Sequence, residues 1–148
     1  MVFLRNFDKD DALILQKVKY SNLSALQIED LICEWNQKQV NSKYFEMFAI
    51  ISDKDVVGAV SLYQHSTEVI SIGPEIFKSY RRKGFGKEAM ICALNIAKEK
   101  GYKIVSQQIR ANNTASTALH SSLGFETNGL TYINSKGNQV AIYLKSLL

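Results

Sequence analysis

The chain has 148 residues and a formal net charge of +4. That length suits one domain built on one core. With 46% apolar residues, 22% charged residues, seven Phe, seven Tyr and one Trp, the composition excludes a disordered chain.

The charge is mild and is not spread over a face, which argues against a nucleic-acid partner. No apolar run reaches the length of a membrane span, so no membrane partner is expected. The opening "MVFLRNFDKDD" lacks the basic segment and apolar run of a signal peptide, and the expected location is cytoplasmic. Cys33 and Cys92 have no metal-ligand spacing. Both read as small buried residues on helices, and no metal is expected.

In chain order, "VFLRNF" (Val2–Phe7) reads as a strand, and Asp8, Asp10 and Asp11 place negative charge at the start of a helix, "DALILQKVKY". Ser24 and Gln27 have capping-box spacing. Ile28, Leu31, Ile32 and Trp35 follow as one face of a second helix. "YFEMFAII" (Tyr44–Ile51) and "VVGAVSLY" (Val56–Tyr63) read as a hairpin across "SDKD".

"EVISIGPEIF" (Glu68–Phe77) is a further strand containing Pro74, the only proline. Proline removes a ladder donor, so Gly73-Pro74 predicts an edge or a bulge. A helix runs through "KEAMICALNIAKEK" with Met90, Ala93, Leu94 and Ala97 as its apolar stripe, and Gly101 ends it. "KIVSQQIR" (Lys103–Arg110) is a strand, and "NNTASTALHSSLGF" is a helix with Asn and Thr as capping candidates. Two strands near Glu126–Asn134 and Val140–Leu144 flank the turn "SKGN". The order is β-α-α-β-β-β-α-β-α-β-β, with no linker or repeat. The one βαβ unit predicts a parallel pair inside an otherwise antiparallel sheet.

The stretch "SYRRKGFGKEAM" sets a Gly-rich turn between a strand and a helix start. Free N–H groups and the helix dipole favour an anion there, and Arg81, Arg82, Lys83 and Lys87 add charged donors. A basic solvated turn would need no second glycine. A Walker A loop needs Gly at position 81 and Ser or Thr at position 88, where the chain has Arg81 and Glu88. A dinucleotide fingerprint fits Gly84-x-Gly86-x-x-Ala89 but wants an acid at the end of the next strand, which "KIVSQQIR" lacks.

Arg81-Arg82-Lys83-Gly84-Phe85-Gly86 resembles the pyrophosphate loop of the GNAT family of acyl-CoA N-acyltransferases. A second motif resembles the same family: Asn113, Ser116, Leu119, then Gly124-Phe125, with His120 where the family often has Tyr. The resemblance covers the whole element order. It implies a single domain over residues 1–148 with the α/β (α+β) GNAT fold. That fold is a mixed sheet of six or seven strands flanked by about four helices. The fourth and fifth strands part to admit the pantetheine arm of CoA. A bulge at Gly73–Glu75 is expected to divert the strand and free backbone groups near Ile76.

The activity implied is acetyl transfer from acetyl-CoA to a primary amine of a small molecule or peptide. The chemistry needs a deprotonated amine, donors for the oxyanion and a proton for the departing thiolate. By resemblance, Ile76, Phe77, the run from Arg81 through Lys83, Gly84, Phe85, Gly86 and Lys87, Asn113 and His120 hold the cofactor. A backbone N–H near Ile76 serves the oxyanion.

His120 is the candidate general acid, although an imidazole donates readily only when protonated. Ile70 stands where relatives carry a strand Glu, which leaves Glu68 and Glu75 as the nearest carboxylates, with His65 or a water chain as alternatives for the base. The acceptor is expected beside the first two helices, Tyr20 to Trp35, with Glu29, Asp30, Glu34 and Glu46 available to attract it. The last two strands offer a surface for a homodimer. A CoA-binding module without turnover is the alternative reading.

Overall fold

A computed structural model describes residues Met1–Leu148. The elements are β1 (Val2–Asn6), α1 (Ala12–Val18), α2 (Ala25–Trp35), β2 (Gln39–Val40), β3 (Lys43–Ser52), β4 (Asp55–Gln64) and β5 (Val69–Ile76). They continue with α3 (Phe85–Glu99), β6 (Ile104–Arg110), α4 (Thr114–Ser122), β7 (Thr131–Ile133) and β8 (Gln139–Ser146). The sheet runs β1-β3-β4-β5-β6-β8-β7, with β2 added on β3. Only β5 and β6 are parallel, as the βαβ unit requires.

The eighth strand is the two-residue β2, which no periodicity announces. β7 starts later than expected. Glu126 makes a lone bridge to Leu144, and the side chains of Thr127 and Asn128 then bond the backbone of Gly129 and Leu130 in a turn. No helix is long and apolar enough to cross a membrane.

Local chemistry sets the helix starts. Ser24 and Gln27 form the reciprocal capping box of α2. Asp8 caps a short 3-10 turn (Lys9–Asp11) that leads into α1, and Asp11 bonds back to the Asp8 N–H at 2.8 Å. Asp11 is buried and also receives both terminal nitrogens of Arg5, at 2.8 and 3.0 Å. Burial alone would raise the Asp11 pKa. Arg5 and the Asp8 N–H outweigh it and hold the carboxyl below the usual carboxylate range.

The stabilisation is therefore complete above the ordinary Asp value of about 4 and lost as pH falls through the depressed native value. Asp11→Ala is expected to cost about 2 kcal/mol in urea unfolding at pH 7, since the deletion strands a partly exposed Arg5. The difference from the wild type should narrow below about pH 4.

Two cores flank the sheet. α3 and α4 cover one face, where Ala89, Met90, Ala93, Leu94 and Ala97 of α3 pack on Val60, Leu62, Ile70 and Ile72. α1 and α2 cover the other face, with Phe7, Leu15, Ile28, Ile32 and Phe77 at its centre. Cys33, expected to be buried, is exposed on α2, and Cys92 is half-buried on α3.

β5 is where the fold departs from a plain sheet. It pairs with β6 only at Val69↔Ile104 and Ile70↔Val105, after which the strands part. The bulge expected at Gly73–Glu75 is absent, because Pro74 sits in regular register opposite Val60 of β4. The irregularity lies one strand away. Against β3, the register steps from Ile50↔Gly58 to Ile51↔Val56, so β4 carries an extra residue at Val57.

The proline is tolerated for a simple reason. Phe77 N–H bonds Val57 O at 2.9 Å, and antiparallel pairs alternate, so Ile72, Pro74 and Ile76 turn their backbone groups away from β4. The missing N–H of Pro74 thus falls on the side where β6 has already left.

Candidate active site

The parted strands enclose a cavity of about 610 Å³. Ser71, Ile72, Gly73 and Pro74 line one wall, Ser106 to Ile109 the other, and Ser116 and His120 of α4 close one side. At its apex the strands are joined by side chains. Ser71 Oγ donates to Ser106 O, and Gln107 bonds both backbone groups of Ile72. His65 Nε2 lies 2.6 Å from Ser71 Oγ. Because that hydroxyl proton is given to Ser106 O, the histidine must donate to it.

His120 is 3% exposed, and its ring packs edge-on against Phe125 at 4.8 Å. Its Nδ1 is 2.8 Å from the carbonyl of Ser116, and its Nε2 is 3.2 Å from the Gln107 amide nitrogen. Burial pushes its pKa below the ordinary imidazole value, against the weaker opposite pull of the Ser116 carbonyl. A neutral ring with Nδ1 donating has no proton to give from Nε2. The geometry therefore does not supply the general acid expected at this position.

At the open end of the gap, α3 begins at Gly84, whose φ of +82° is the left-handed region that a side chain resists. No side chain caps this helix start. The N–H groups of Phe85, Gly86 and Lys87 are thus its free donors. Arg81, Arg82, Lys83 and Lys87 are exposed around them. Arg81 Nε also donates to Ile76 O at 2.9 Å, which ties the loop to the end of β5. Gly86 lies against Ile76, with 3.7 Å between a built Cβ and Ile76 Cγ1. By the alternation set at Phe77, the Ile76 N–H faces the gap.

A second, smaller cavity of about 140 Å³ lies on the α1–α2 side. It shares Ser61 and Gly73 with the first and is lined by Lys19, Tyr20, Trp35, Met47 and Glu75 among others. Glu75 is the only carboxylate lining either cavity, and it is ion-paired with Lys19. Burial disfavours the Lys19 ammonium, but Glu75 and Tyr20 outweigh that and hold its pKa above the ordinary value.

Several predicted site residues lie elsewhere. Glu68 precedes β5, is exposed, and pairs with Lys103 at 3.0 Å, outside both cavities. Phe77 points into the α1–α2 core and its N–H is spent on Val57. Phe85 is half-buried against the α3 core. Asn113 caps α4 by accepting from Ser116 N at 3.0 Å. Glu46 is buried on the opposite face, bonded to Asn6 at 2.9 Å and Tyr44 at 2.5 Å. Glu29, Asp30 and Glu34 line neither cavity.

A parallel strand pair that opens onto an uncapped, cationic helix start is the scaffold of a protein that holds a long, phosphate-bearing cofactor through its backbone. The chain matches the acetyltransferase (GNAT) domain over residues 2–126 and belongs to the GNAT family. It is 30% identical over 99 residues to the SPbeta prophage-derived uncharacterized N-acetyltransferase YokL of Bacillus subtilis (strain 168). That match covers 65% of this chain and 56% of the relative, so it spans little more than half of that protein.

Among solved structures, the ribosomal L7/L12 alpha-N-protein acetyltransferase RimL, in complex with coenzyme A, superposes with a TM-score of 0.84 at 14% identity, over 98% of this chain and 93% of the other. The yncA acetyltransferase of Salmonella typhimurium, described as putative and bound to acetyl-CoA, gives 0.76 at 15% identity, over 100% and 95%. At such identities the likeness is one of fold.

Proposed function

We propose that the chain transfers an acetyl group from acetyl-CoA to a primary amine of a small molecule or peptide, by direct attack with both substrates bound. The observation that carries this reading is the early parting of β5 from β6, whose mouth faces the free N–H groups at the start of α3. The residues present fit the cofactor. The gap offers the Ile76 N–H and the Pro74 carbonyl to an amide-bearing arm, and the loop offers backbone donors and four cations to a diphosphate. When bound, acetyl-CoA supplies an activated acetyl thioester.

The chain's own residues do the rest. Arg81, Arg82, Lys83, Lys87 and the N–H groups of Phe85, Gly86 and Lys87 hold the diphosphate. Asn113, whose amide oxygen is spent on its helix, keeps its NH₂ for the arm. The gap-facing Ile76 N–H donates to the acyl oxygen as charge develops on it. Glu75, at the wall shared with the smaller cavity, draws the acceptor ammonium and takes its proton directly or through one water. Lys19 holds that carboxylate in an ion pair until the acceptor arrives.

A CoA-binding module without turnover is the second reading. It is favoured by the prior engagement of His120 and Glu75. Thiol release from acetyl-CoA separates the two, using a panel of polyamines, aminoglycosides, amino acids and peptide N-termini. Catalysis predicts release about tenfold or more above hydrolysis with at least one class. Tight CoA binding without release selects the module, and no CoA binding removes both.

A further inference from the structure

Continuing the β5–β6 register from Ile70↔Val105 would set Ile72 opposite Gln107. The backbones have parted there, and the Gln107 side chain takes the place of the lost strand. Its Oε1 accepts from Ile72 N–H at 2.9 Å, and its Nε2 donates to Ile72 O at 2.5 Å. Turning the amide over would set donor against donor and acceptor against acceptor, so its orientation is settled by Ile72.

The other Nε2 hydrogen is left for His120 Nε2, at 3.2 Å. That ring nitrogen must accept, because Nδ1 lies 2.8 Å from a carbonyl oxygen that only an N–H can use. Gln107 is 5% exposed and His120 3%, so every one of these bonds is inside the protein.

We infer that Gln107 is a positioning residue of the acetyl-donor site: its amide fixes the separation of β5 and β6 at the gap apex and holds His120 as the neutral Nδ1–H tautomer. The part concerning the donor rests on the reading of the gap as the acetyl-CoA site, whereas the tautomer does not. The groups facing the imidazole are Gln107 of β6, Ser116 of its own helix, Phe125 of the following segment and Tyr143 of β8. No carboxylate, ammonium or guanidinium is among them.

Leu at position 107 fills a similar volume but leaves the Ile72 N–H and C=O unpaired at the apex. Buried polar groups without partners draw in water or shift, and either response alters the gap beyond them. Neither Ile72 nor Gln107 lines the smaller cavity beside Glu75.

The test uses Gln107→Leu and Gln107→Glu in the full chain. CoA Kd is measured by calorimetry, KM is measured for acetyl-CoA and for the acceptor, and His120 is followed by imidazole ¹⁵N NMR against pH. The wild type should show the neutral Nδ1–H form at and above neutral pH, with protonation only below the ordinary imidazole range. Gln107→Leu should raise the CoA Kd and the acetyl-CoA KM about tenfold or more, with the acceptor KM within about twofold. Gln107→Glu sets a carboxylate at Nε2 and should bring His120 protonation up into the range near neutrality.

A folded Gln107→Leu protein with an unchanged CoA Kd overturns the inference, as does a wild-type His120 that titrates like a free imidazole near 6.5. If Gln107→Leu does not fold, the CoA Kd of Gln107→Glu, which keeps an acceptor for Ile72 N–H, decides in the same way. A wild type that binds no CoA overturns the donor-site reading itself, and the donor part of the inference falls with it, while the tautomer is still decided by the NMR.

Discussion

Gly58→Ala is expected to lower stability by about 3 kcal/mol and to weaken CoA binding at least tenfold. A Cβ at this position would lie 2.2 Å from Glu75 O and 3.1 Å from Ile76 Cα. Both are backbone atoms, so no rotamer change relieves the clash. Relief requires β5 to move off β4, and the segment that must move carries Glu75 and Ile76. The Phe77 N–H to Val57 O bond is at the same place and would open with it. Urea unfolding followed by the fluorescence of Trp35, the only tryptophan, reads the stability, and calorimetry reads the affinity. A Gly58→Ala protein with wild-type values for both would contradict the close approach of β4 to β5.

Glu75→Gln is expected to lower kcat about a hundredfold or more while leaving the CoA Kd within about twofold. The substitution keeps the shape and removes the one carboxylate that lines either cavity. It also leaves Lys19 as an uncompensated cation beside the acceptor, so the acceptor KM should rise with the loss in kcat. The CoA side is spared because the loop and the gap-facing backbone do not involve this side chain. An unchanged kcat with the acceptor saturating would remove Glu75 from the proton path and leave His65 or solvent to serve.

The features that could be read from sequence are those whose physics is local. The Ser24–Gln27 capping box and the apolar stripe of α3 depend on residues a few positions apart, and each appears as expected. The single parallel pair in a mixed sheet followed from one βαβ unit among hairpins. Features decided across strands were not legible. Gly73-Pro74 left an edge and a bulge open, and the edge is what forms, because the side without a donor is the one that β6 leaves; the bulge lies in β4 against β3 instead.

Val56-Val57-Gly58-Ala59-Val60 reads as an unbroken strand, so nothing marks Gly58 until the neighbouring backbone is in place. Gln107 sits in "KIVSQQIR", where alternation assigns it no special role. Alternation sets it on the buried face with Val105 and Ile109, but its bonds to Ile72 exist only because β5 and β6 part beside it. The roles of Glu68 and Phe77 were misplaced for the same reason. Each is next to the site in sequence and turned away from it in space.

The gap between β5 and β6 and the loop before α3 are expected to hold CoA together. Titrating CoA into ¹⁵N-labelled protein, and following backbone and side-chain amide shifts, tests this directly. The largest changes are expected at Ile76, at Phe85, Gly86 and Lys87, and at the side-chain amide of Gln107. Saturating CoA that leaves these amides unmoved, or that moves instead the exposed face of α2 or the β7 edge, would contradict it.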